Sequence, residues 1–117
     1  MLSRGEELLL TILGLQFPHY TIIPQKTIKV GYKSLYLDYY IPQLKMAFEF
    51  DGQQHFQFIS FFHKTLKGFQ NSLKRDSMKD KYCRENGITL VHIPDNGKLT
   101  LEKVRNIISK IPIYESE

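Results

Sequence analysis

The stretch "LDYYIPQLKMAFEFDGQQHF", residues 37–56, constrains this chain more than any other. It continues a run from Leu35 to Ile41 with the two-residue period of a strand: Leu35, Leu37, Tyr39 and Ile41 fall on one face, Tyr36, Asp38 and Tyr40 on the other. After "PQLK", which can turn the chain, Met46, Phe48 and Phe50 take one face and Ala47, Glu49 and Asp51 the other, up to Gly52. The pattern predicts two adjacent strands whose apolar side packs a core. Their other side presents Asp38, Glu49 and Asp51, with His55 just beyond.

The flanking segments say what covers such a sheet. "SRGEELLLTILG" has Ser3 and Glu6 at capping-box spacing and Gly14 as a stop, so a helix is expected from about Leu2 to Leu13. "HYTIIPQKTIKVGYKS" is rich in β-branched residues but broken by Pro24, which suits an edge or bent strand. "QQHFQFISFFHKTLKGFQ" is aromatic and poorly periodic, and is expected to connect and partly cover the site. A helix is expected from about Gln70 to Asn86, ending at Asn86-Gly87. "ITLVHIP", Ile88 to Pro94, is apolar enough for a strand buried on both faces, and an amphipathic helix follows from near Thr100. The order is helix, three strands, helix, strand, helix. It implies an antiparallel meander followed by a crossover to a parallel strand, in a mixed α/β sheet flanked by helices.

With 117 residues and 42% hydrophobic content, a single domain over residues 1–117 is expected. The lone cysteine, Cys83, excludes an internal disulfide and reads as a buried small side chain. No apolar stretch suggests a leader or a membrane span, so an intracellular, cytoplasmic protein is expected. The formal charge is +4. Between His63 and Arg84 seven Lys or Arg face only Asp76 and Asp80, which marks Lys74, Arg75, Lys79 and Lys81 as candidate phosphate contacts. A solvated helix face would show the same run.

Glu49 and Asp51 share a face, about 6.5–7 Å apart between Cα atoms, and Asp38 can meet them from the next strand. Converging carboxylates repel one another, and a hard cation relieves this; oxygen ligands select Mg²⁺ or Mn²⁺ over zinc. A sheet face turned to water would also alternate acids with apolar residues. The adjacent bases and His55 favour the metal reading, because phosphodiester hydrolysis needs acids for metal beside bases for phosphate. His55, His63, Cys83 and His92 have no zinc-site spacing.

"SRGEELLLTIL", "LDYYIP", "AFEFDGQQHF" and "RDSMKDKYCRENGITLVHIP", in that order, resemble a small nuclease of the restriction-endonuclease-like PD-(D/E)xK superfamily. The branch is the one related to very-short-patch-repair and phage homing endonucleases. The resemblance implies an αβββαβ core and Mg²⁺-dependent cleavage of DNA to 5′-phosphate and 3′-hydroxyl ends, with Mn²⁺ as a substitute. It makes Asp38 and Glu49 metal carboxylates, Glu6 an added first-helix carboxylate and His55 the histidine after the third strand. A bacterial or phage-infected cell would be the setting.

Two positions depart from the pattern. Leu37 replaces a proline that binds no metal. Asp51, counted with the metal acids here, occupies the slot where many members have lysine. Water would then be oriented by His55 first, by Lys79 second, or by the metal alone. Glu6 can serve equally as the helix cap, His55 can be structural, and Lys79 is expected on the solvated face. A catalytically silent nucleic-acid-binding module and an RNA endonuclease are the rival functions. A domain this small would need a partner subunit, such as a second copy in a homodimer, an added DNA-recognition domain, or recognition of DNA structure rather than sequence for targeted cutting.

Overall fold

The computed structural model describes residues 3–52, 66–95 and 99–112, and of residues 51, 52 and 95 the backbone alone. Its elements are α1 (Arg4–Gln16), β1 (Ile23–Val30), β2 (Lys33–Ile41), β3 (Met46–Gly52), α2 (Leu66–Glu85), β4 (Thr89–Asp95) and α3 (Leu101–Ser109). The sheet order is β1-β2-β3-β4, antiparallel except for the parallel β3–β4 pair. This is the expected αβββαβα order and mixed sheet. Among the described residues no helix is long and apolar enough to cross a membrane.

Local chemistry accounts for the helix starts. Ser3 accepts from the Glu6 N–H at 3.1 Å and gives its own N–H to the Glu6 carboxylate at 3.3 Å, which completes the capping box. Thr100 caps α3 by a single bond, its hydroxyl oxygen accepting from the Lys103 N–H at 3.2 Å. Gly14 does not stop α1, which runs on to Gln16. An internal glycine costs a helix only about 1 kcal/mol, less than burying Leu13 and Phe17 on either side of it returns. Gly87, at φ 68°, does end α2, as the Asn86-Gly87 signal requires.

The sheet is covered on both faces. Leu9 and Leu13 of α1 and Val104 and Ile108 of α3 pack with Tyr39, Ile41, Phe48, Val91 and Ile93. On the other face Cys83 of α2 packs with Ile28, Leu35, Leu37 and Ala47. Leu37 and Tyr39, expected on one face, thus enter different clusters. The β1–β2 ladder skips the Gln25–Asp38 position, and Gln25, next to Pro24, has the left-handed φ of 52°. The bend expected of this edge strand therefore sits beside Asp38, and there the alternation resets. β4 also differs from expectation: Val91 and Ile93 are buried, but Thr89, His92 and Pro94 are exposed, because it is an outer strand of the described sheet.

Candidate functional site

The carboxylates of Asp38 and Glu49 meet where the β2–β3 ladder ends. That ladder pairs Tyr39–Ile41 with Met46–Phe48, and the next position joins the strands through side chains. The Asp38 N–H donates to Glu49 Oε2 at 2.8 Å, and the Phe50 N–H donates to Asp38 Oδ2 at 2.8 Å. Each carboxylate accepts a charge-assisted bond from the opposite strand and is held in one orientation by it. α1 closes the same corner: Tyr39 donates its hydroxyl to the Glu6 carbonyl at 2.6 Å, and Gly5 lies against the Phe50 ring so closely that a Cβ would overlap it.

Lys79 of α2 reaches this pair. Its Nζ donates to Glu49 Oε1 at 2.7 Å, and the two side chains are 17% and 6% exposed. The solvated position expected for Lys79 is therefore not the one it takes. A signal for this lay in the sequence: Lys79 precedes the buried Cys83 by four residues, which puts both on one stripe of the helix. The neighbouring Asp80 meets His92 Nε2 at 3.1 Å, and His92 sits beside Glu49 in the parallel register. Consecutive residues of α2 thus clamp consecutive strands.

The electrostatics follow from burial. Glu49, only 4% exposed, is pushed up to about 7 by desolvation and then by the Asp38 charge, against the pull of Lys79. Asp38 is also raised, by desolvation first; the Phe50 N–H and Lys79 oppose this, and Glu6 adds to it. One ammonium among these carboxylates is too little positive charge for a desolvated site. Burial pushes the Cys83 thiol up to about 11, which fits a packing role and no nucleophilic one.

The remaining candidates separate. The Glu6 carboxylate turns back onto Ser3, so the structure gives it the capping role. The backbone of Asp51 pairs with Pro94, two positions beyond Glu49, while its side chain and all of His55 lie outside the described residues. Lys74, Arg75 and Lys81 are exposed on α2; Arg75 bonds Ser72, and Lys81 stands 4.0 Å from Glu85. Among the described residues no group of three His, Cys, Asp or Glu side chains could hold a metal. Asp38 and Glu49 nonetheless form a two-carboxylate oxygen set of the kind Mg²⁺ uses, with water and phosphate completing its shell.

Fold and site together define a mixed α/β domain with a partly buried carboxylate pair at the split between two strands and one lysine bound to it. The chain is similar to viral proteins. It is 38% identical over 77 residues to uncharacterized protein 307L of invertebrate iridescent virus 6, covering 66% of this chain and 39% of the relative. Protein 033L of invertebrate iridescent virus 3 is 34% identical over 67 residues (57% and 34%), and protein 094L of frog virus 3 is 31% identical over 80 (68% and 49%). The chain spans between about a third and a half of the length of these relatives. No family model and no solved structure matches it. The iridovirus relatives point to a virus-infected eukaryotic cell, in place of the bacterial or phage-infected setting expected from sequence.

Proposed function

We propose that this domain is a divalent-cation-dependent nuclease of the restriction-endonuclease-like type that hydrolyses DNA phosphodiester bonds. The observation that carries the reading is the interlocked Asp38–Glu49 pair, with Glu49 buried and Asp38 half-buried, and a single ammonium beside it. A purely structural role would favour a neutral or fully paired arrangement at such a depth, since buried charge is costly.

Asp38 and Glu49 would hold Mg²⁺ or Mn²⁺, with Asp51 the third acid that the register puts two residues on. The cation, when bound, polarises a phosphoryl oxygen and acidifies a water. The chain's own groups do the positioning. The backbone N–H groups of Asp38 and Phe50 fix the carboxylate orientations, so little ordering remains when a cation arrives. Lys79 brings to Glu49 the ammonium that a lysine at the Asp51 position would bring in many members of the superfamily. His55 remains the first candidate to orient water.

The test is nicking of supercoiled plasmid with Mg²⁺ or Mn²⁺. Asp38→Ala and Glu49→Ala are expected to reduce it by more than the about 10–100-fold that outer-shell partners of a metal are worth. Activity that survives both substitutions sinks the proposal. A non-cleaving DNA-binding module is the second reading, favoured by the Lys79–Glu49 ion pair, which can serve as a structural lock. It predicts binding without metal-dependent cutting.

A further inference from the structure

The helix α2 carries six of the sixteen Lys and Arg residues, yet its surface is electrostatically compromised. Lys79 is bound to Glu49, Lys81 faces Glu85, and Asp76 and Asp80 interrupt the row. The β1–β2 hairpin is different. From Tyr20 to Leu37 it contains Lys26, Lys29 and Lys33 and no acid at all.

All three lysines are exposed, and so are two aromatic residues, Tyr32 at the tip and Tyr36, which is 49% exposed. The tip is a two-residue turn with Gly31 at φ 62°, and it leaves Tyr32 entirely in solvent. Lys29 donates to Ser34 Oγ at 2.6 Å across the ladder, which steadies its stem and leaves other ammonium protons free to donate. In the register Lys26 lies opposite Leu37, next to Asp38, and Lys33 closes the far end opposite Val30. At about 3.3–3.4 Å per residue the lysines span roughly 13 Å of ribbon starting beside the carboxylate pair. Register and alternation put Lys26 and Lys33 on the face of Ile28 and Leu37, and Lys29 with Ser34 on the other, so the ribbon carries positive charge on both faces over a length along which a duplex, with one phosphate of each strand about every 3.4 Å of axis, presents several phosphates.

We infer that the β1–β2 hairpin, through Lys26, Lys29 and Lys33, is the surface that grips the phosphate backbone of duplex DNA and leads it to Asp38 and Glu49. The inference rests on the nuclease reading for its substrate but concerns a different surface. Lysines on an edge strand also discourage edge-to-edge pairing. That role asks nothing of Lys33, which is on the inner strand β2, nor of two exposed tyrosines.

The experiment is equilibrium binding of a fluorescent duplex to the full chain in EDTA across a salt series, so that binding is read whether or not the protein cuts. Lys26→Gln, Lys29→Gln and Lys33→Gln combined should weaken binding about 10–100-fold near 100 mM salt and lower the log–log salt slope by about 2–3. The all-arginine version should keep both, which separates lost charge from lost folding. Lys74→Gln, Arg75→Gln and Lys81→Gln combined should move the affinity less than the hairpin change does. An unchanged salt slope in a folded hairpin variant, or a larger loss from the α2 variant, overturns the inference. Hairpin-dependent binding without metal-dependent nicking would leave it standing and remove the nuclease reading instead.

Discussion

The two faces of the sheet are built on opposite principles. Under α1 and α3 the interior is aliphatic and aromatic, with Phe17 and Phe48 6.1 Å apart between ring centroids and Phe48 wholly buried. Under α2 the cluster is smaller and borders charge: Lys79 on the buried Glu49 and, nearer the solvent, Asp80 against His92. One face supplies stability by excluding water. The other gives some of it up by holding carboxylates and an ammonium out of water, and a domain of this size can do so because the first face is intact.

The largest break in that comparison is Phe48→Ala, which opens the apolar face and should cost about 3–5 kcal/mol, measured by urea unfolding. If the faces are energetically distinct, metal-dependent nicking per folded molecule should survive it. Next is Lys79→Met, which leaves the buried Glu49 carboxylate without its ammonium and should cost about 1–3 kcal/mol at neutral pH. Here pH sharpens the contrast. Glu49 is raised from 4.5 to about 7, so the folded state holds its proton more tightly than the unfolded one. Metal-free stability from this group is therefore present below pH 4.5 and lost as pH rises towards 7. Lys79→Met should steepen that fall and Glu49→Gln should flatten it; identical slopes in all three proteins would show that the buried charge is inconsequential. Smallest is Gly5→Ala, where overlap with the Phe50 ring should cost about 1–2 kcal/mol after the helix-propensity gain. Because Phe50 also donates its N–H to Asp38, this change should weaken nicking more than its stability cost implies.

Much of the fold could be read residue by residue. The capping box at Ser3 and Glu6, the alternation of Met46, Phe48 and Phe50 against Ala47, and the Asn86-Gly87 stop are governed by neighbours within about one turn or one pleat. Gly14 misled because its local cost is small beside the packing of Leu13 and Phe17. Leu37 misled because the bend at Gln25, on the paired strand, resets which face it meets.

The acids that matter were visible as types at a spacing, Asp38 on one predicted strand and Glu49 on the next. What only the tertiary structure decided is how they are held: by backbone N–H groups across a strand split, and by a lysine thirty residues further along the chain. Period-two alternation is set by backbone geometry, so sequence by itself determined which side chains share a strand face along most of β2 and β3. The depth of that face, and hence the raised carboxyl of Glu49 and the meeting with Lys79, follows from how α2 lies across the sheet. Packing at that range is a property of the assembled chain.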